Sequence, residues 1–269
     1  MPRQALLIVL ILALAPPLVE GNRHPRSQHH CSVVDLGTLG GRNSMAWSVN
    51  MKGEVAGGSD LSAGVSVHAF LYSGSKLTDL GTLGGQFSDG FGINSQGQVT
   101  GAAMKDDVTV HAIRWTNGKV EDLETLGGSN DGGSSINETG QVAGWASTPD
   151  NKSFRPVMWD GVKIKVLATL GGSSGQARAI NSSGQIAGFA DTKRQGVYHA
   201  TLWTGSATKD LGTLRGLTSE AFAINAKGQA VGESDTATGG IYHAALWTGK
   251  RRTDLGTLGG SVARLREST

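Results

Sequence analysis

The chain has 269 residues, 41 of them glycine, with 38% hydrophobic and only 17% charged residues. A charged share below the roughly 25% of an ordinary soluble domain, with so much glycine, argues against helical bundles and for an all-β protein rich in tight turns. The net charge of +2 is small and the basic residues are scattered rather than striped, so the sequence gives no reason to invoke nucleic acid.

In chain order, the first segment is unlike the rest. Arg3 precedes an apolar run from Ala5 to Ala15, followed by Pro16 and Pro17. A basic start, a short apolar stretch and small residues beyond it predict a secretory signal peptide over 1–21, cut after Gly21. The run falls short of the roughly 20 residues of a membrane span, so no stable membrane insertion is expected after cleavage. Residues 22–32 read as a polar linker. Its "HPRSQHH" is read as solvated chain rather than a metal site, and Cys31 has no partner for an internal disulfide.

From residue 33 the chain repeats itself. DLGTLGG at 35–41 returns as DLGTLGG at 79–85, DLETLGG at 122–128, VLATLGG at 166–172, DLGTLRG at 210–216 and DLGTLGG at 254–260. The spacings are 44, 43, 44, 44 and 44 residues. A fixed period of this size marks a repeat architecture. Within each unit a small-residue stretch ends in Asn, at Asn50, Asn94, Asn137, Asn181 and Asn225, with Gly three residues on. Asn suits the first position of a type I turn and Gly the left-handed position that closes it, so each Asn-x-x-Gly predicts a β-hairpin. Sequons at Asn137 and Asn181 are explained by the turn; a third falls at Asn151.

A third strand follows in each unit: VHAFLY, VHAIRW, FRPVMW, YHATLW and YHAALW. Its near-continuous apolar character predicts burial on both faces. A fourth strand carries DLGTL, and the GG is the hinge into the next unit. Four short antiparallel strands per unit of about 44 residues match one blade of a β-propeller, with a parallel β-helix as the rival. The propeller domain spans 33–260, with a tail at 261–269. Five full units, 42–85 to 217–260, favour a five-bladed ring, with one DLGTLGG copy in excess. A truncated array would instead leave an open strand edge.

His68-Ala69-Phe70, with the GQVAG type of motif upstream and DLGTLGG downstream, resembles the HAF family of bacterial extracellular repeat proteins. The resemblance covers about residues 33–260. It implies a bacterial, exported, tandem-repeat protein, and it brings no activity or catalytic residue. The pattern is broken by Arg155-Pro156 for His-Ala, by Val166 for Asp and by Arg215 for Gly.

His68, His111, His199 and His243 occupy equivalent places. They resemble the His of WD-repeat propellers, which joins Trp and Asp in a hydrogen-bond network, and are read as structural rather than as a metal ring. Tyr72, Trp115, Trp159, Trp203 and Trp247 are read as inter-blade core. No catalytic, metal or cofactor motif appears. The loops between second and third strands differ in every unit, and binding residues concentrate on variable loops held by a scaffold. Candidate ligand contacts are therefore Asp60, Asp106, Asp107, Asp150, Asp191 and Asp235, with Trp145 and Phe189 just before two of the loops. Acidic groups beside aromatics suit sugars, calcium or a basic protein surface.

The expectation is a secreted, extracellular or periplasmic, non-enzymatic module that binds a protein or a glycan, as a monomer or an edge-paired oligomer. The alternatives are a polysaccharide hydrolase or lyase using loop carboxylates, and a self-assembling envelope protein.

Overall fold

A computed structural model describes residues 32–260, apart from Ala63, Val65, Asp107, Thr238 and Gly239. The leader, the linker up to Cys31 and the tail lie outside the described residues. The described residues form five sheets of four strands. Blade 1 holds β1 (Gly40–Val49), β2 (Val55–Leu61), β3 (Val67–Ser73) and β4 (Lys76–Asp79). Blade 2 holds β5 (Ser88–Ile93), β6 (Val99–Met104), β7 (Val110–Thr116) and β8 (Lys119–Asp122). Blade 3 holds β9 (Asp131–Ile136), β10 (Val142–Ser147), β11 (Phe154–Asp160) and β12 (Lys163–Val166). Blade 4 holds β13 (Gly171–Ile180), β14 (Ile186–Thr192), β15 (Tyr198–Thr204) and β16 (Ala207–Asp210). Blade 5 holds β17 (Arg215–Ile224), β18 (Ala230–Thr236), β19 (Tyr242–Thr248) and β20 (Arg251–Gly256).

Each sheet is a meander in chain order, with successive strands paired antiparallel. That is the blade of a propeller and not the coil of a parallel β-helix. The first turn of every blade follows the sequence. In blade 2 the Gly97 N–H donates to the Asn94 carbonyl and Gly97 takes φ +76°, the left-handed region that glycine enters freely.

The outer strand does not carry all of DLGTL, as the sequence reading has it: it holds the first motif residue in blades 1–4 and the first three in blade 5. The outer strand β4 ends at Asp79, and Leu80–Gly84 form the crossing to the next blade. Side chains within the motif hold the crossing. The Asp79 carboxylate accepts the Gly81 N–H, while the Thr82 hydroxyl donates to the Gly85 carbonyl and accepts from the Gly84 N–H. Thr38, Thr169 and Thr213 make the same bond to Gly41, Gly172 and Gly216.

The second glycine of each GG is dictated by close approach. A Cβ at Gly41, Gly85, Gly128, Gly172 or Gly216 would lie 2.3–2.6 Å from the end of the second strand of its own blade. Arg215, where the other copies have the first Gly, holds φ +87°, a strained value for a residue with a Cβ.

Burial is organised between the blades, in four clusters that each join neighbouring sheets. Ala56, Ala69, Ile93, Val99 and Trp115 join blades 1 and 2. Ala112, Leu123, Ile136 and Trp159 join blades 2 and 3. Ala143, Leu167, Ala177, Ile180 and Trp203 join blades 3 and 4. Ala187, Leu211, Ala221, Ile224 and Trp247 join blades 4 and 5. In every case the first strand of one blade rests on the second and third strands of the blade before it. First strands also meet one another, and among the described residues fourth strands make no comparable contact, so the first strands line the inside of the assembly.

Among the described residues no such packing joins blade 5 to blade 1. The five-bladed ring favoured by the sequence does not close; the blades form an open arc. The first DLGTLGG is therefore not redundant. Its Leu39 N–H donates to Ser59 and its Gly37 carbonyl accepts from Ser44, so it leads into blade 1 as the later copies lead into theirs.

Candidate binding surface

The repeated polar residues are occupied in holding the scaffold. His68 Nδ1 lies 2.9 Å from Asp79 Oδ2, and the pairs His111–Asp122, His199–Asp210 and His243–Asp254 repeat this at 2.7–2.9 Å. Each His joins a third strand to the end of the fourth strand of its own blade, and the four imidazoles do not converge. Among the described residues no group of three His, Cys, Asp or Glu side chains is placed to hold a metal. Blade 3 loses both members together, as Arg155 and Val166.

The Trp N–H does not join the His–Asp pair. Trp115 donates to the Leu80 carbonyl, Trp159 to Glu124, Trp203 to Ala168 and Trp247 to Gly212. Each indole thus ties its own blade to the crossing that enters it. A buried Trp needs such a partner, and the crossing carbonyls supply it.

The Asn of the turns does more than the turn requires. Asn94 Oδ1 accepts the N–H groups of Gln96 and Gln98. Its amide donates to Gln98 and also to the carbonyl of Asn137 in the next blade. Asn50 reaches Asn94, Asn137 reaches Asn181, and Asn181 reaches Asn225 in the same way. The result is a hydrogen-bonded ladder across one end of all five blades.

The acidic candidates do not come together. Asp60, Asp191 and Asp235 occupy one equivalent position at the end of the second strands. There they receive the start of the first strand: Asn43 donates to Asp60, the Ser174 N–H to Asp191 and the Leu217 N–H to Asp235. Asp235 is buried. Asp106 accepts the N–H groups of Val108 and Thr109, which hold its carboxyl below the ordinary range. Asp150, lowered by the Thr148 hydroxyl and the Lys152 N–H, caps its own turn. Asp107 lies outside the described residues.

The two aromatic candidates belong to a different surface, on the inside of the arc. Trp145 stands on β10 and its ring lies 6.2 Å from that of Phe91 on β5, which lies 6.3 Å from Trp47 on β1. The Trp47 N–H donates to both carboxylate oxygens of Asp89, at 2.9 Å each. Burial pushes Asp89 up to about 6, against the pull of the Trp47 and Gly90 N–H groups. Trp47 is 45% exposed, so the row is open to solvent at its blade 1 end.

Further along, Phe189 on β14 lies 5.2 Å from Tyr198, and the Arg178 guanidinium sits 5.6 Å from the Phe189 ring. Arg178 also pairs with Glu220 of the next blade. Burial raises Tyr198, opposed by the Thr218 hydroxyl and assisted by Glu220 and Glu233.

Sequence reasoning found Trp145 and Phe189 but missed Trp47, Asp89, Phe91 and Arg178, because it looked to the loops. The signal was present. Within the small-residue stretch before each Asn, equivalent positions hold Trp47, Phe91, Ser134, Arg178 and Phe222 among conserved-size neighbours such as Gly and Ala.

Asp89 and Asp131, the two carboxyls that burial lifts most, have different partners, whereas Glu220 and Glu233 stand opposite one another on β17 and β18. Asp131 is also lifted to about 6 by burial, but its oxygen accepts the Ser147 N–H and it lies toward His111 and Asp122. Asp89 faces Trp47 instead. A groove of about 590 Å³, lined by Lys193, Arg194, His199 and Asp210 among others, holds one carboxylate, already tied to His199.

No family model matches the chain, and no curated protein matches it. Solved structures do. The β-propeller domain of the Trilobed protease from Pyrococcus furiosus, of open velcro topology, shares 11% identity over 81% of this chain and 70% of its own, with a TM-score of 0.56. TolB from Acinetobacter baumannii shares 13% identity over 80% of this chain, with a TM-score of 0.55. The match covers 55% of TolB. At such identities the likeness shows the propeller fold.

Proposed function

We propose that this chain is an exported, non-enzymatic propeller of the HAF type that binds a glycan along the inside of its arc. The observation that carries the reading is the row Trp47, Phe91 and Trp145 with Asp89 beside it, set side by side on the first and second strands of blades 1, 2 and 3. Aromatic faces on a rigid scaffold offer area at little entropic cost, and a few fixed polar groups give orientation. The apolar face of a sugar ring stacks on such rings while its hydroxyls meet the Asp89 carboxylate. The variable loops frame the same sheets and set the outline of the ligand. A protein partner would use the same surface through its own aromatic or basic side chains.

The test is a thermal-shift and tryptophan-fluorescence titration with a panel of bacterial and host polysaccharides. A ligand that binds only the folded state raises the melting temperature by mass action. One glycan class should give a saturable rise and a change in Trp emission, both lost in Trp47→Ala and Phe91→Ala. Retention of both signals in these variants, or no response to any glycan, would refute the glycan reading.

A further inference from the structure

The four blade interfaces are copies of one another, and the two ends of the arc display the two halves of a fifth. The half that docks is a first strand. In the interior its small residue presses into the preceding blade: a Cβ at Gly90 would meet Ala56, one at Gly133 would meet Thr100, and Ala177 and Ala221 are fully buried. The equivalent residue of blade 1, Ala46, is exposed. Val49 is only half-buried, where Ile93, Ile136, Ile180 and Ile224 are core.

The half that receives is the face of the second and third strands with the crossing beside it. Leu123, Leu167 and Leu211 are 1%, 5% and 5% exposed, whereas Leu255 of blade 5 is 50% exposed. Leu258, equivalent to the partly buried Leu83, Leu126, Leu170 and Leu214, is fully exposed. Val231 is half-buried where Ala56, Thr100, Ala143 and Ala187 have no exposure. The Asn ladder ends in the same way. The Asn225 amide donates to Gln229 but has no Asn carbonyl beyond it, and the Asn50 carbonyl has no Asn amide before it, among the described residues.

We infer that the occupant of each end is a second copy of this chain, joined head to tail, with β1 of one molecule resting on β18 and β19 of the next. The argument is continuity. The molecule already makes this interface four times, and it presents one docking half and one receiving half of the same shape and chemistry. Such a contact is heterologous. It yields a closed ring of copies where the rotation closes and an open array where it does not. This inference is independent of the glycan reading, which concerns the inside of the arc.

The test is sedimentation of the exported, purified protein across a wide concentration range. It uses Ala46→Arg to block the docking half and Leu255→Arg to block the receiving half. Both positions are exposed in the single chain, and circular dichroism checks that each variant is folded; Leu258→Arg replaces Leu255→Arg if the latter fails. The wild type should associate with rising concentration. Each variant alone should remain a monomer, with association weakened by about tenfold or more, because a charge would be buried without a partner. An equimolar mixture of the two variants should give a dimer and stop there, since one intact docking half and one intact receiving half remain. A wild type that stays monomeric throughout overturns the inference, as does association that the variants leave unchanged or a mixture that forms no dimer.

Discussion

At position 131 an aspartate stands where blades 1, 2 and 5 carry Ser44, Ser88 and Ser219. In blades 2 and 5 that serine is fully satisfied: Ser88 receives the Ala69 N–H and donates to Gly81, and Ser219 does the same with Ala200 and Gly212. Asp131 is buried, accepts one N–H from Ser147 and leaves its Oδ2 without a partner. Its charged form is therefore disfavoured, and its pKa rises from 3.8 to about 6. The sign of the consequence is fixed. The native state holds the proton more tightly than the unfolded chain, so this contribution to stability is fully present below pH 3.8 and is lost as pH rises through about 6. Asp89 acts in the same direction. Asp131→Asn should raise stability at pH 7 by about 1–3 kcal/mol, because it removes a charge that burial disfavours, and flatten the pH dependence of urea unfolding between pH 4 and about 6. An unchanged unfolding midpoint at pH 7 would contradict this account of the site.

The hairpin turns carry a second test, because the same Asn-x-x-Gly element recurs at different places along the array. Asn181 is buried and reaches the Asn225 carbonyl, whereas Asn225 is exposed and has only its own turn to hold. Asn181→Ala should therefore cost about 1 kcal/mol more than Asn225→Ala in chemical unfolding, the worth of one further hydrogen bond. Equal costs would mean that the ladder adds nothing beyond the turn. These elements also show what the sequence makes legible. Asn-x-x-Gly announces its turn because the requirement is local: an amide that folds back on the chain and a glycine at positive φ. The blade itself was legible from the period. The ladder was not, since the carbonyl that Asn94 reaches lies 43 residues away and carries no side-chain signature. DLGTL was read as the fourth strand, where most of it forms the crossing, for a related reason. The second glycine of the GG that follows it is set by a close approach to the second strand, a contact between residues about 20 apart in sequence. Trp47 and Phe91 were missed because only stacked blades bring them beside Trp145.

At the scale of the whole molecule, stability resides in repeated nearest-neighbour interfaces, as in other repeat arrays. Among the described residues five blades share four interfaces, so blades 1 and 5 each have one side that no blade covers. The bareness is specific: Ala46 at one end and Leu255 at the other occupy positions that the interior buries. An arc of this kind leaves its inner aromatic row open at Trp47, and it leaves two complementary ends. The claim on which both depend is that blades 1 and 5 do not meet within one chain. It is tested most directly by dipolar distance measurement between spin labels in dilute protein, with Cys31→Ser as background. Ser183 and Lys227 lie in equivalent turns of neighbouring blades 4 and 5, and Lys52 lies in the same turn of blade 1. The open arc predicts a distance between labels at 52 and 227 clearly longer than that between labels at 183 and 227. Equal distances for the two pairs would show that the ring closes on itself and would contradict the account.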